Sequence, residues 1–437
     1  MVKLLELRFV FLSACVLFRI ALDLCYVIFI NPVFSYLGFS YNLSVDSYFF
    51  SWLIYIFCLS VTPHLLNKVS DYFLALFFLA IIAPLSSITS LASAEVFPLL
   101  VTVSVFLFFR AFQYGSIFSR LMPVPRVKNI SDGRIISLTL SFTSVFVLVS
   151  WYFYSGAFRY FNLNLLKVYD FRDASSELAR VGFFNYFNGW VYNIFSIFLM
   201  SYCLWKKKFF FFFLLFGVQI FFYGVSNHKG VLFYPIMILG IWFYSRRSRA
   251  LSVIPLSFLF IVAFCLWLYI SFDHIIAGSF FIRRVFFIPA KLTLDYFSFF
   301  SLNDFIWWSN SVLSGFIEYP YNLSLGQVIG EYVGSSGSSA NNGFIASGYA
   351  HAGLFGVTIY AFIFTYFLKF LDHVVIKSDI PVWLALCITI VPFRAALISS
   401  DLFTTMLTHG LALSLLMLIL FRRTSVVVQS KTINRSR

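Results

Sequence analysis

In a chain of 437 residues of which only 11% are charged, four short groups of basic residues stand apart from the main basic clusters. They are F-R-D-A-S-S-E-L-A-R with Arg172 and Arg180, N-H-K-G with His228 and Lys229, F-I-R-R-V with Arg283 and Arg284, and V-P-F-R-A-A with Arg394. Guanidinium forks and ammonium groups gathered at a membrane surface suit an anion such as a lipid-linked phosphate or pyrophosphate. Headgroup anchoring, or pairing with Asp170, Asp173 and Glu177, is the plainer use of any one of them. A second set offers proton transfer and hydrogen bonding. Glu331, His351 and His228 can each take a proton once positioned. Asn342 and Tyr349 present an amide and a phenol that suit sugar hydroxyls. Most of this second set lies in E-Y-V-G-S-S-G-S-S-A-N-N-G-F-I-A-S-G-Y-A-H-A-G-L-F-G, Glu331 to Gly356, a polar run in an oily chain. A glycine-rich helix start that binds nothing, and a Glu331 that simply pairs with Arg284, are the alternatives. No carboxylate–histidine spacing suggests a metal site, and no cofactor motif occurs.

The elements that position these residues follow from composition. Hydrophobic residues make up 61% of the chain, 61 of them phenylalanine, and mean hydropathy is +0.91. A soluble core of this size could not hide so much apolar side chain, so the sequence describes a polytopic membrane protein. Lipid tolerates only helices or closed barrels. The apolar runs are continuous rather than alternating, so an all-α architecture is expected. Twelve spans are expected, at 9–31, 47–65, 72–91, 96–113, 136–154, 186–204, 209–226, 231–245, 251–271, 349–370, 382–400 and 403–421. Alternate connections hold 21 of the 31 Lys and Arg, which is the positive-inside pattern. That pattern accounts for the net charge of +14 without a nucleic-acid partner and places both termini in the cytoplasm.

The run from Phe9 is long and lacks a convincing cleavage site, so a retained first helix is expected. The six cysteines fall inside spans and read as packing residues. One integral membrane domain over 1–437 is expected, with two large outer loops at 155–185 and 272–348. The second is too long to be a mere connection and should be a folded functional element. Arg394, inside an apolar span with Asp401 seven residues on, reads as functional because a charge there is costly. Arg19 and Asp23, four apart on one helical face, read as a structural pair. Gly348, Gly353 and Gly356, with Ala346, Ala350 and Ala352, form a small-residue face open to close approach by a helix or ligand.

N-N-G-F-I-A-S-G-Y-A-H-A-G-L-F-G resembles the segment after the large periplasmic loop of bacterial O-antigen polymerases. R-R-V-F-F-I-P-A followed by D-Y-F-S-F-F resembles the start of that loop, N-H-K-G-V-L a short basic turn, and V-P-F-R-A-A a late intramembrane arginine. The first outer loop departs from the family pattern, since no glycine-rich repeat surrounds its arginines. The resemblance implies a GT-C-like, metal-independent glycosyltransferase of the bacterial inner membrane. Such an enzyme moves a growing glycan from undecaprenyl pyrophosphate onto a new lipid-linked repeat unit in lipopolysaccharide synthesis. It further implies a flippase and a chain-length regulator as partners. In that reading Arg284, Arg172, Arg394 and Lys229 clamp the leaving pyrophosphate, with Arg283 and Arg180 in reserve, and Glu331 is the favoured base. A lipid-linked oligosaccharide flippase and an O-antigen ligase remain as alternatives, the ligase because it breaks the same donor bond.

Overall fold

A computed structural model describes residues 2–115, 130–164, 175–335 and 337–423. Among the described residues the secondary structure is helical apart from one isolated bridge between Leu65 and Ala250. We number the main helices α1 Leu5–Leu37, α2 Val45–Val61, α3 Val69–Leu91, α4 Phe97–Tyr114, α5 Gly133–Tyr154, α6 at 184–205, α7 Phe209–Ser226 and α8 Lys229–Ser245. They continue as α9 Val253–Phe272, α10 Ile288–Phe300, α11 Leu325–Tyr332, α12 Phe344–Ile376, α13 Val382–Ile398 and α14 Leu402–Phe421. Eight of these, α1, α3, α4, α5, α7, α9, α12 and α14, are long and apolar enough to cross a membrane, and α2, α8 and α13 are shorter apolar helices. The protein is therefore an α-helical polytopic membrane protein. All six cysteines are free and buried, as their placement within apolar runs suggested.

The chain forms two compact units. The first comprises Met1–Pro123, Arg249–Lys369 and Arg394–Phe403, and the second Val124–Ser248, Phe370–Phe393 and Thr404–Arg437. In the second, Ile197, Met200, Cys203, Leu204, Phe212, Ile238 and Cys387 make a dry cluster. Arg134 ties the unit together by pairing with Asp379 and donating to the Phe421 carbonyl at 3.0 Å.

In the first unit the helices pack around a polar knot. Arg19 is fully buried, and its guanidinium donates to Asp23 at 2.8 Å, to Ser86, to Ser51 at 3.2 Å and to Ser90 at 3.3 Å. The Asp23 carboxylate accepts from Ser87 and from the Tyr48 hydroxyl at 3.1 Å. The rings of Trp52 and Tyr55 lie 5.2 and 5.6 Å from the guanidinium carbon. The charged pair thus gathers α1, α2 and α3 through hydroxyls, which is the structural role its spacing suggested. Isolated in lipid, either ion would be prohibitively costly; paired and hydrogen-bonded, each is satisfied.

The segment 272–348 carries a π-helical turn Ser279–Phe287 leading into α10 and a short α11 beyond it. One feature differs from the sequence expectation. The span expected at 349–370 is broken at its start. Ala352 (φ −157°, ψ 35°) and Gly353 (φ 58°, ψ −139°) leave helical geometry, and the chain doubles back between a short arm, 344–351, and a long arm from 354. A methyl group added at Gly356 would overlap the Gly348 carbonyl, whereas residues eight apart in a straight helix are separated by roughly 12 Å. The small-residue face foreseen in the sequence is therefore used by the chain against itself. Such a break in α12 needs its freed backbone groups satisfied, and the carbonyls of Ala350 and His351 accept from the amides of Ile306 and Trp307 at 3.0 and 2.9 Å.

Asp23→Ala would leave Arg19 buried without its counter-charge. We expect a loss of about 3–5 kcal/mol, seen as a lower midpoint of thermal unfolding in detergent. Arg19→Met combined with Asp23→Leu should recover most of it. Equal midpoints for Asp23→Ala and wild type would show that the knot does not hold the first unit together.

Candidate functional site

Arg283 and Arg284 lie in the π-helical turn Ser279–Phe287, where the widened helix sends consecutive side chains toward one concavity. Arg283 is half-buried. It donates to the Ser279 hydroxyl at 3.2 and 2.9 Å, and its guanidinium carbon sits 4.4 Å from the Phe34 ring centroid. Arg284 is exposed, with its guanidinium 5.3 Å from the Phe280 ring. Lys291, on the first turn of α10, is held by both oxygens of Asp295 at 2.8 and 2.9 Å. These three cations and Asp295 line a cavity of about 490 Å³ whose opposite wall is Val333, Ser335, Ser338, Ser339, Ala340 and Asn341. The polar run of the sequence thus becomes the hydroxyl-rich wall of a basic cavity. Three cations against one carboxylate leave it net positive. Burial and the like charge of Arg284 lower the pKa of Arg283, and an anion in the cavity would relieve that repulsion. Burial raises the Asp295 carboxyl while Lys291 opposes the shift.

The same helix leads to a second cavity. At its far end α10 contributes Phe300, followed by Ser301, to a concavity of about 570 Å³ lined also by Asn303, Asp304, Phe305, Trp307, Glu318 and Tyr349. Lys291 and Ser301 are ten residues apart, so roughly 15 Å of helix separates the two cavities. Aromatic faces beside carboxylates and an amide match the alternating apolar and hydroxyl faces of a sugar ring. Tyr349 is nearly buried and stacked on Phe297 at 3.9 Å between centroids.

Behind this cavity runs a hydrogen-bonded chain. Trp307 and Trp308 both have positive φ, 46° and 56°, a strained geometry for bulky residues that is held by contacts with the broken helix. The amide of Trp308 donates to His351 Nδ1 at 3.1 Å. The proton of the neutral ring is therefore on Nε2, which donates to Asp401 at 3.1 Å. Tyr360 donates to the same carboxylate oxygen at 2.7 Å and accepts from the Trp308 indole at 2.9 Å. His351 is fully buried and stacked on Trp308 at 5.1 Å, whereas the Asp401 side chain keeps 16% of its surface exposed.

Several expectations change on this geometry. His351, with both nitrogens engaged and no exposed surface, is not an open base; it positions Asp401. The Arg394–Asp401 relation suggested by their spacing is absent, because α13 ends at Ile398 and Asp401 turns to His351 and Tyr360. Arg394 is exposed and makes no ion pair among the described residues. Asn342 does not offer its amide to a ligand: it is buried, donates to the Pro289 carbonyl and Thr293 hydroxyl at 3.1 and 3.0 Å, and accepts from the Gly343 amide at 2.8 Å. Glu331 is exposed on α11, two residues before the cavity wall begins at Val333, and pairs with no cation among the described residues. In the second unit, Arg180 hydrogen-bonds His228, which must accept through Nε2, and Lys229 opens α8. Arg172 lies outside the described residues.

Sequence reasoning missed the Asp401–His351–Tyr360 chain and the two strained tryptophans. The spacing from Arg394 drew Asp401 to the wrong partner, and nothing in W-W-S-N announces positive φ. No protein-family model, curated protein or solved structure matches the chain.

Gly353→Ala should disrupt this region. Its φ of 58° with ψ of −139° suits glycine alone, and an added methyl would stand 3.0 Å from the Phe305 ring. We expect a loss of about 1–3 kcal/mol, measurable as a lower unfolding midpoint, whereas Gly217→Ala, with nothing within 4 Å, should leave the midpoint unchanged.

Proposed function

We propose that the protein is a membrane glycosyltransferase of the O-antigen polymerase kind, which transfers a growing glycan from a lipid pyrophosphate to a new lipid-linked repeat unit. The observation that carries this reading is the convergence of Arg283, Arg284 and Lys291 on a serine-walled cavity of about 490 Å³ in the large outer loop. The reading adopts twelve crossings, both termini in the cytoplasm and a location in the bacterial inner membrane, so that the cavity faces the periplasm. A GT-C-like arrangement, with chemistry in the large loop beside the membrane, belongs to the same proposal.

In the reaction, the bond from the anomeric carbon to the pyrophosphate oxygen breaks while the acceptor hydroxyl bonds to that carbon. Negative charge builds on the leaving pyrophosphate. Fixed cations that already face the phosphate oxygens stabilise this charge more in the transition state than in the bound donor. Arg283 and Arg284 provide guanidinium donors and Lys291 an ammonium, pre-oriented by Ser279 and Asp295. Glu331, exposed beside the cavity wall, accepts the acceptor's proton in this scheme. The cavity with Trp307, Phe305 and Tyr349 holds the sugars. Arg180, His228 and Lys229 belong to the second unit and take no part in this proposal, and Arg172 lies outside the described residues. A flippase that delivers the substrate and a regulator of chain length are the partners this role requires.

The test uses purified protein in detergent with an undecaprenyl-pyrophosphate-linked repeat unit of the producing strain, read as a glycan ladder on a gel. Arg284→Ala alters an exposed side chain and should lower ladder formation by about a hundredfold or more. Glu331→Gln should do the same, and Arg394→Ala should have a smaller effect. Absence of a ladder from folded wild type, together with transport of the same lipid in proteoliposomes, would replace the enzyme reading with a transporter.

A further inference from the structure

A second basic cavity lies in the first unit, away from the large loop. It has a volume of about 260 Å³ and is lined by Arg8 and Phe11 of α1, Leu59 to Val61 of α2, Arg110 and Tyr114 of α4, and the connection from Thr62 to Asn67. Three elements therefore bring cations and donors to one concavity: Arg8, Arg110 and His64, with Asn67 and Thr62 beside them. These residues belong to the end of the bundle that the distribution of basic residues makes cytoplasmic.

The cavity is built rather than incidental. The wall from Thr62 to Asn67 is pinned to the segment before α9, with Leu66 donating to the Arg249 carbonyl at 2.7 Å and Leu251 donating to the His64 carbonyl at 2.8 Å. Arg110 is fixed by its Nε, which donates to the Val61 carbonyl at 2.7 Å, and by stacking on Tyr114 at 3.7 Å. Its two terminal nitrogens donate to no acceptor among the described residues, and neither does Arg8. Asp71, whose charge reaches Arg110, is fully buried and accepts from the amides of Asn67 and Lys68, each at 2.8 Å, and from the Tyr114 hydroxyl. Among the described residues no carboxylate lines the cavity. Burial and the neighbouring Arg8 lower the pKa of His64, so its imidazole is a neutral hydrogen-bonding group.

We infer that this cavity binds a phosphate-bearing anion, either the headgroup of an anionic phospholipid in the cytoplasmic leaflet or a free phosphate. Arg110 contacts the phosphate oxygens with its pre-oriented fork and Arg8 closes over them from α1, with Asn67 and His64 completing the hydrogen bonds. The site serves no step of the proposed glycosyl transfer.

Two arms test it on the full chain. Native mass spectrometry in detergent with equal amounts of phosphatidylglycerol and phosphatidylethanolamine should show one retained phosphatidylglycerol per chain. Occupancy should fall at least fivefold in R8Q/R110Q. Should that variant not fold, R8Q/H64Q, which spares the Arg110 contacts, should fall in the same direction. In the second arm inorganic phosphate is added to lipid-stripped protein. A phosphate-dependent rise in unfolding midpoint that the variant lacks, without selective lipid retention, supports the site with a free phosphate as its ligand. Equal lipid retention by wild type and both variants, with no phosphate-dependent shift, overturns the inference.

Discussion

Inside a bilayer no water is available to satisfy a polar group, so every buried charge or broken hydrogen bond must find its partner within the chain. Arg19 shows the constraint most plainly. A fully buried guanidinium collects Asp23 and three serines from α2 and α3, and in doing so decides how those helices face one another. Hydrophobic contact cannot select one arrangement where lipid is as apolar as leucine. The directional bonds of one charged pair can.

The same constraint explains how the protein breaks a helix where chemistry is expected. At Ala352 and Gly353 the helical ladder stops, and the carbonyls it would have used are taken up by the amides of Ile306 and Trp307. That repair draws residues 305–308 onto the short arm of α12. Once there, Trp308 sets the tautomer of His351, and His351 with Tyr360 fixes Asp401. A backbone interruption is thereby converted into a positioned carboxylate. The strain at Trp307 and Trp308 is held in place by these surrounding bonds.

Charge is distributed by a different rule at the two basic cavities. In the cavity beside α10 Asp295 partly neutralises Lys291, leaving Arg283 and Arg284 to define the excess. At the other cavity of the first unit Asp71 accepts from backbone amides and Tyr114, and among the described residues no acid lines the cavity beside Arg8 and Arg110. Both arrangements concentrate positive charge in a concavity, where low-dielectric walls strengthen attraction for an anion.

How much of this was legible in the sequence depends on the range of the interaction. Apolar runs, basic connections and the i, i+4 relation of Arg19 and Asp23 are local patterns, and they determined the helical membrane class, most helix positions and the role of that pair. The adjacency of Arg283 and Arg284 was equally plain. What the tertiary structure decided depends on residues far apart in the chain. Asn342 reads as a free amide until Pro289 and Thr293 occupy it, and His351 reads as a base until Trp308 and Asp401 take its two nitrogens. The break at Gly353 was hidden because glycine is tolerated in membrane helices, and only the close approach of Gly348 to Gly356 required the chain to reverse. Periodicity and composition specify how each segment meets its solvent. Only three-dimensional packing specifies which polar group meets which.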